Sequence, residues 1–248
     1  MTNKFKYIVG NWKMFGVLSS FNILNRVNLH LKKNKYSKIK VVFCIPYTLI
    51  NLFSKKLINS KIAIGAQDTH QYNQFEAFTG SINAKMIKNS GARYCIVGHS
   101  EKRISGDSDI IINQKIKSCI KNKLNVIFCI GENLKQKKNK TTYKILANQI
   151  KIGLKEIKKN NHIIVAYEPV WSIGTGIIPT QNELRKNIIF IKSKLIKKFK
   201  KVTILYGGSV NTQNIEKLGQ INDIDGFLIG GASQSYNKFI DIIKKTYK

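Results

Sequence analysis

The sequence predicts a closed (βα)8 barrel, a parallel sheet of eight strands in which a helix follows each strand. Eight short apolar runs alternate with eight longer, lysine-rich amphipathic runs along the 248 residues. The apolar runs are hydrophobic throughout, which is typical of parallel strands that are covered on both faces. A barrel of this kind commonly spans about 250 residues without division. We therefore expect one domain over residues 1–248.

Each predicted strand is a run of three to five residues that are mostly aliphatic or aromatic. The eight runs are 7–9, 41–45, 62–64, 94–97, 126–130, 163–167, 202–206 and 226–229. None is long enough to form an independent apolar helix, and strands of this length fit a barrel wall.

The helices are predicted from apolar residues that recur every three to four positions between lysines. The eight candidates are 19–31, 49–57, 83–89, 109–122, 143–159, 181–199, 211–218 and 235–246. A doubly wound open sheet is the alternative fold. It usually carries G-x-G-x-x-G after the first strand, and Gly10-Asn11-Trp12-Lys13 does not match that pattern.

The net charge of +30 comes almost entirely from lysine, since only four of the 43 basic residues are arginine. Lysine, asparagine and isoleucine are all abundant, and all three have A/T-rich codons. A surface selected to bind nucleic acid would favour arginine, because its planar guanidinium makes paired contacts to phosphate. We therefore interpret the charge as a solvated surface and expect no specific nucleic-acid partner.

The cysteines predict a reducing compartment. Cys44, Cys95, Cys119 and Cys129 lie in apolar or helical runs without C-x-x-C spacing, as reduced buried thiols do. The opening residues show no apolar leader, and no apolar run is long enough to cross a membrane. We expect a cytoplasmic protein with no membrane partner.

One stretch combines three chemical elements, Ala166-Tyr167-Glu168-Pro169-Val170-Trp171-Ser172-Ile173-Gly174-Thr175-Gly176. Pro169 ends the preceding strand, which puts the Glu168 carboxylate at the strand's mouth. A carboxylate there suits proton abstraction. The glycines of the tip let backbone N–H groups approach an anion.

Other polar signatures also follow strands, on the face where such barrels carry their chemistry. They are Gly10-Asn11-Trp12-Lys13, Gly98-His99-Ser100-Glu101, Gly131-Glu132, Tyr206-Gly207-Gly208-Ser209-Val210 and Gly230-Gly231-Ala232-Ser233. The glycine pairs after strands seven and eight match a barrel phosphate site. Ser100 is the predicted N-cap of a short helix.

Together these strings closely resemble the triosephosphate isomerase family, and the resemblance runs essentially from end to end. The family interconverts dihydroxyacetone phosphate and D-glyceraldehyde 3-phosphate through an enediolate. The resemblance implies that Glu168 is the base, His99 a neutral electrophile and Lys13 an electrostatic stabiliser. It implies that Asn11 and Glu101 complete the catalytic set.

The resemblance also implies the binding groups. Substrate and its phosphate would contact Asn11, Trp12, Lys13, Gly174, Ser209, Gly230 and Gly231. Residues 169–176 would form a lid, with Glu132, Tyr167 and Trp171 exchanging hydrogen bonds as it moves. No cofactor or metal is implied, because the histidines and cysteines match no ligand spacing. A homodimer would form through the loop around Phe78-Thr79-Gly80.

Several positions depart from the family's pattern. Phe15, Glu76 and Ser81 stand where the family usually has Asn, Gly and Glu, which puts the strength of the dimer in doubt. Lys102 replaces an arginine. Lys192 replaces an arginine expected to pair with Asp225, so that link should be weaker. Pro179 follows the lid where alanine is common, and its fixed φ predicts a stiffer far hinge.

Two further functions remain as alternatives. Another phosphate-binding barrel enzyme, such as an aldolase or an indole-pathway enzyme, shares the architecture. An aldolase would need a Schiff-base lysine inside a strand, and the predicted strand runs contain none. A basic, non-enzymatic binder would need arginine-rich or aromatic-interleaved patches, which the sequence lacks.

Overall fold

A computed structural model describes residues 6–34, 36–158, 163–196, 198–199 and 202–247. Within these ranges eight parallel strands pair in chain order, and the last strand pairs with the first to close a barrel. The strands are β1 Lys6–Asn11, β2 Ile39–Cys44, β3 Ile62–Ala66, β4 Tyr94–Val97, β5 Asn125–Ile130, β6 Ile163–Tyr167, β7 Ile204–Tyr206 and β8 Gly226–Ile229. The predicted fold class is confirmed.

The helices lie between the strands along the chain. They are α1 Phe21–Lys33, α2 Tyr47–Lys56, α3 Ala84–Asn89, α4 Ser100–Ile104, α5 Asp109–Lys121, α6 Leu134–Lys138, α7 Thr142–Gly153, α8 Gln181–Leu195, α9 Ile215–Gly219 and α10 Tyr236–Tyr247. Short 3₁₀ turns cover Leu18–Ser20, Val170–Ser172 and Gly231–Gln234. The short helix α4 was predicted only by its start, near Ser100, and α6 was not predicted, because five residues are too few to show an apolar period.

Three predicted helices have different ends. The helix predicted over 143–159 ends at Gly153, and Lys159 lies outside the described residues. The one predicted over 181–199 ends at Leu195. The one predicted over 211–218 starts only at Ile215, because the Asn211 side chain accepts two backbone N–H groups and forms a turn.

Alternation along each strand divides the core into two parts. One face of the sheet packs against the helices, as Ile8, Phe43 and Phe128 do. The other face fills the barrel interior with a separate cluster that includes Val9, Ile127 and other side chains of alternating position: Val42, Cys44, Tyr94, Ile96, Cys129, Ile164, Ala166, Leu205 and Leu228. Because the interior is filled, functional side chains lie at its carboxyl-terminal mouth.

The structure confirms the prediction for the cysteines but not the one for the Lys192 ion pair. All four cysteines are free and buried, as predicted. Lys192 does not pair as predicted: its ammonium group lies 3.1 Å from Asp223, while the Asp225 carboxylate accepts the N–H of Ile204 at 2.9 Å. A flexible lysine reaches the nearer carboxylate on the loop before β8, a choice that sequence spacing does not determine.

No helix in the described part of the chain is both long and apolar enough to cross a membrane.

Candidate active site

The base candidate is fixed where β6 ends. The N–H of Glu168 continues the sheet ladder by donating to Ile130 at 2.8 Å, and Pro169 then stops it. The neighbouring turn must be glycine, because a Cβ on Gly131 would lie 1.7 Å from the Glu168 carbonyl oxygen. The Glu168 carboxylate is 2% exposed, so its environment is set by protein groups.

Two groups from the loop after β4 face that carboxylate. The N–H of Ser100 donates to Glu168 Oε2 at 3.3 Å, and His99 Nε2 lies 3.4 Å from Glu168 Oε1. Both loop residues are buried. The sequence places these residues almost 70 positions apart, and the barrel brings them together at one mouth.

His99, and not Ser100 as predicted, is the N-cap of α4. Its Nδ1 accepts the N–H of Glu101 at 3.2 Å, a capping hydrogen bond that a serine or aspartate oxygen usually accepts. A ring nitrogen that accepts a hydrogen bond carries no proton, so the geometry favours the tautomer protonated on Nε2. That N–H points toward Glu168 and the barrel mouth.

Lys13 occupies a strained turn directly after β1. Its φ of 56° lies in the left-handed region, which is uncommon for lysine and is found at sites where the surroundings hold the backbone. Two side chains hold it: the N–H donates to Asn11 Oδ1 at 3.1 Å, and the carbonyl accepts from Gln67 Nε2 at 2.9 Å. The Lys13 ammonium group lies 2.6 Å from Glu101 Oε1.

The Glu101 carboxylate lies between the lysine and the histidine. Besides its bond to Lys13, its Oε2 lies 3.6 Å from His99 Nδ1. Partial burial opposes ionisation of this carboxyl group, but the hydrogen bond and the positive charge of Lys13 outweigh it and lower the pKa of Glu101. Glu101 is therefore an anion at neutral pH that orients the ammonium group of Lys13.

These side chains surround one cavity of about 220 Å³ at the barrel mouth. Besides Lys13, His99 and Glu168, its lining includes the predicted residues Asn11, Gly174, Ser209, Gly230 and Gly231. Glu101 lines an adjoining cavity of about 230 Å³ that shares Asn11, Lys13 and His99. The structure thus brings together all the predicted site residues except Trp12.

Trp12 lies away from this cavity. Its ring is fully buried, packs edge-on against Phe43 and Phe53, and donates its N–H to the carbonyl of Ser233 at 3.0 Å. The alternation of β1 explains this placement, because Val9 points into the barrel and the side chain of residue 12 falls on the opposite face. Trp12 supports the site by packing.

Within the predicted lid, residues 169–176, the side chain of Trp171 contacts Glu132 and Lys137. Trp171 Nε1 donates to Glu132 Oε1 at 2.9 Å, and the Tyr167 hydroxyl lies 3.2 Å from both oxygens of that carboxylate. Burial raises the pKa of Glu132, although the hydrogen bonds from Trp171 and Tyr167 oppose the shift. The ammonium group of Lys137 lies 3.4 Å from the centre of the Trp171 ring.

The roles of three residues around the site were not predicted from the sequence. Gln67 holds the Lys13 carbonyl, Gln234 lines the cavity and donates to the Trp12 carbonyl, and Ser172 joins the lid to β7. Gln67 follows β3 as the other signatures follow their strands, so its position was a usable signal. Ser172 carried none, because a serine in a loop is ordinarily solvated.

A larger cavity, about 290 Å³, lies at the other end of β3 and β4. Its polar lining consists of amides, hydroxyls and the cations Lys55 and Arg93, with no carboxylate or imidazole. It offers no group that suits acid–base chemistry, so size alone does not mark the site. Nor do the described residues contain a cluster of three or more metal-ligating side chains.

Comparison with known proteins agrees with this geometry. The family model for triosephosphate isomerase matches residues 6–246. The triosephosphate isomerase of Thermodesulfovibrio yellowstonii is 38% identical over 96% of this chain and 98% of its own length. That of Vesicomyosocius okutanii is 41% identical over 96% and 97%.

A solved structure gives the same answer. The crystal structure of triosephosphate isomerase from Bartonella henselae superposes with a TM-score of 0.90 at 31% identity, covering 98% of this chain and 99% of that one. The match of sequence and fold over the full barrel, and the site at its mouth, lead to one conclusion. The chain belongs to the triosephosphate isomerase family, whose members are isomerases.

Proposed function

We propose that this chain interconverts dihydroxyacetone phosphate and D-glyceraldehyde 3-phosphate by moving a proton between adjacent carbons through an enediolate. The observation that carries the proposal is the single cavity that joins Glu168, His99 and Lys13 to the backbone of Gly174, Ser209 and Gly231. A base, a hydrogen-bond donor, a cation and a set of N–H groups meet there within the space of a three-carbon phosphate.

Glu168 is the proposed base. Its carboxylate is shielded from bulk water and faces the cavity, and its bond to the Ser100 N–H is long enough, at 3.3 Å, to break without large cost. Moving away from Ser100 would bring the carboxylate toward the substrate carbons. The same group can then return the proton to the neighbouring carbon.

His99 is the proposed electrophile. With Nδ1 occupied by the Glu101 N–H, the neutral ring presents Nε2–H to the cavity. A neutral donor can hydrogen-bond the substrate oxygen on which negative charge develops. The start of α4 also places the positive end of a short helix beside the ring.

Lys13 and Asn11 complete the polar wall. The ammonium group of Lys13 would offset the charge of both the phosphate and the enediolate, and Glu101 would keep it oriented. The strained backbone of Lys13, held by Asn11 and Gln67, supports a position fixed for function.

The phosphate group would bind main-chain N–H groups. Gly231 begins a 3₁₀ turn, whose first N–H groups have no partner inside the turn, and Ser209 and Gly174 line the same cavity. The lid over residues 169–176 would close on the phosphate and exclude water, which protects the enediolate from losing phosphate. The proposed proton transfer uses no cofactor.

We also propose a homodimer through the loop around Phe78-Thr79-Gly80. This loop exposes an aromatic group, in which Phe78 packs 4.7 Å from His70 and 5.2 Å from Tyr72. Beside Lys13 an open cavity of about 480 Å³ is lined by Met14, Phe15 and neighbouring apolar groups. An exposed aromatic loop and an apolar recess suit a self-complementary interface.

The compartment and the domain organisation are inferred on similar grounds. Four free, buried thiols support a reducing, cytoplasmic setting. Continuous strand pairing around the barrel supports one domain. The positive charge is mostly lysine, which argues against a specific nucleic-acid partner.

A coupled assay with purified protein and D-glyceraldehyde 3-phosphate tests the proposed function. We expect saturable turnover without added metal or cofactor. Sodium borohydride added with dihydroxyacetone phosphate should leave the activity and the protein mass unchanged, since the mechanism forms no Schiff base.

Two results would contradict the proposal. Absence of turnover together with a trapped adduct would favour the aldolase alternative. Absence of turnover together with nucleic-acid binding that persists at 200 mM salt would favour the basic binder.

A further inference from the structure

The hydroxyl of Ser172 joins three segments at the barrel mouth. Ser172 lies in the lid and is fully buried. Its Oγ donates to the carbonyl of Ile177 at 2.6 Å, lies 3.1 Å from the hydroxyl of Tyr206, and accepts the N–H of Ser209 at 3.3 Å. One side chain therefore ties the start of the lid to its far end, to the end of β7 and to the proposed phosphate loop.

The three bonds saturate this hydroxyl. A serine hydroxyl has one proton and two lone pairs. Because its proton goes to the Ile177 carbonyl, the Tyr206 hydroxyl must be the donor in the second bond. Burial raises the pKa of Tyr206 to about 12, so its phenol keeps the proton it donates at physiological pH.

The backbone around this hydroxyl leaves room for it. A Cβ on Gly208 would lie 2.2 Å from the Tyr206 hydroxyl and 2.8 Å from Ser172 Oγ, so a side chain there would displace both. Beyond the lid tip, Ile177 and Ile178 carry no polar side chain and Pro179 has no N–H to donate. Within the described residues, the hydrogen bond between Ser172 and Tyr206 connects the lid to the end of β7.

We propose that Ser172 is a positioning residue that latches the start of the lid to Tyr206 at the end of β7. Before a phosphate group arrives, its hydroxyl satisfies the Ser209 N–H. The phosphate oxygen then takes that N–H, while Ser172 keeps its bonds to Ile177 and Tyr206. The start of the lid is consequently fixed before binding, and the ligand has to order only the lid tip. This inference rests on the proposed function for its substrate.

Binding of inorganic phosphate to Ser172→Ala, Tyr206→Phe and the double variant tests the latch. The chain has two tryptophans, so 5-fluorotryptophan labelling gives one ¹⁹F resonance from the buried Trp12 and one from Trp171 in the lid. Titration with phosphate while following the Trp171 resonance gives a dissociation constant. Ser193→Ala, which removes a hydroxyl bonded to Phe190 on α8, is the matched control.

We expect each single variant to weaken phosphate binding by about two- to tenfold, the usual effect of one hydrogen bond. The double variant should bind no more weakly than the weaker single variant, because both changes break the same connection. KM for D-glyceraldehyde 3-phosphate should rise in parallel, and Ser193→Ala should resemble the wild type. Thermal unfolding of each variant shows that the fold is kept.

Three results would overturn the latch: unchanged or tighter phosphate binding in Ser172→Ala, additive losses in the double variant, or no saturable response in the wild type. The phosphate titration does not depend on turnover. Failure of the proposed isomerase reaction is therefore distinguishable, since it would appear as an inactive wild type with the predicted order of phosphate affinities.

Discussion

The two segments that enclose the active site are held very differently. The turn after β4, residues 98–104, is anchored to the barrel, because Arg103 donates to the carbonyls of Gly98 and Cys129 and pairs with Asp109 at 2.6 Å. The lid, residues 169–176, is anchored at its start, through Trp171 and Ser172, while its tip around Gly174 is exposed.

This difference divides the work between the two segments. In the proposed reaction His99 presents one proton at one place, and a buried turn with several backbone bonds provides that accuracy. The lid must admit substrate and then exclude water, and a segment with few contacts can open at low cost. Changes on the fixed segment should therefore affect chemistry strongly, and changes at the lid hinge should affect rates modestly.

The largest effect in this comparison is expected at His99. His99→Gln keeps an N-cap acceptor and a side-chain donor but loses the geometry of the imidazole, so kcat should fall by about 10²–10⁴-fold. Steady-state assays with circular dichroism as a check on folding measure this. His30→Gln, on α1 and bonded to Tyr36, is the control. Turnover within a factor of two of wild type would mean that the fixed turn does not carry the chemistry.

A smaller effect is expected at the proposed dimer contact. It tests whether the site beside Lys13 keeps its geometry without a second subunit. Phe78→Glu puts a charge on an exposed aromatic group and should shift the sedimentation coefficient from dimer to monomer. Activity should fall about tenfold at low protein concentration, since Lys13 would lose its cover and its position.

Ile196→Glu, which places the same charge on an exposed apolar residue just after α8, should leave the dimer intact. A monomeric wild type with full activity would show that the strained turn at Lys13 needs no partner.

The smallest effect is expected at the lid's far hinge. Pro179→Ala frees φ, so the lid should open faster, kcat should rise by up to about threefold if opening limits turnover, and stability should fall by about 0.4–1 kcal/mol. Relaxation of the Trp171 ¹⁹F resonance and steady-state kinetics measure the two rates. If neither rate changes, the proline does not control the lid.

The sequence was sufficient to predict the features that depend on a local residue pattern. Proline after Glu168 placed the proposed base at a strand end, and eight apolar runs defined the barrel. Trp12 could have been placed correctly, because the alternation from Val9 assigns it to the outer face. The string Asn11-Trp12-Lys13 was interpreted as one binding unit, although consecutive side chains along a strand point to opposite faces of the sheet.

Other features depend on distances that no local pattern contains. The bonds from Ser172 to Tyr206 and Ser209 join residues more than 30 positions apart. Lys192 pairs with Asp223 although another carboxylate, Asp225, lies two positions further along the chain. The ends of α7 and α8 depend on tertiary packing, for example at Gly153, where a Cβ would lie 2.6 Å from the Phe128 ring.

Proton exchange at the substrate carbon tests the central claim most directly. In D₂O, wild-type protein given dihydroxyacetone phosphate should incorporate deuterium at the carbon bearing the hydroxyl group, as followed by NMR. Glu168→Gln can still accept the Ser100 N–H but cannot act as a base, so exchange should fall by about 10²–10⁴-fold. Glu216→Gln, on the exposed face of α9, should exchange like the wild type. Equal exchange in wild type and Glu168→Gln would contradict the assignment of the base and with it the proposed mechanism.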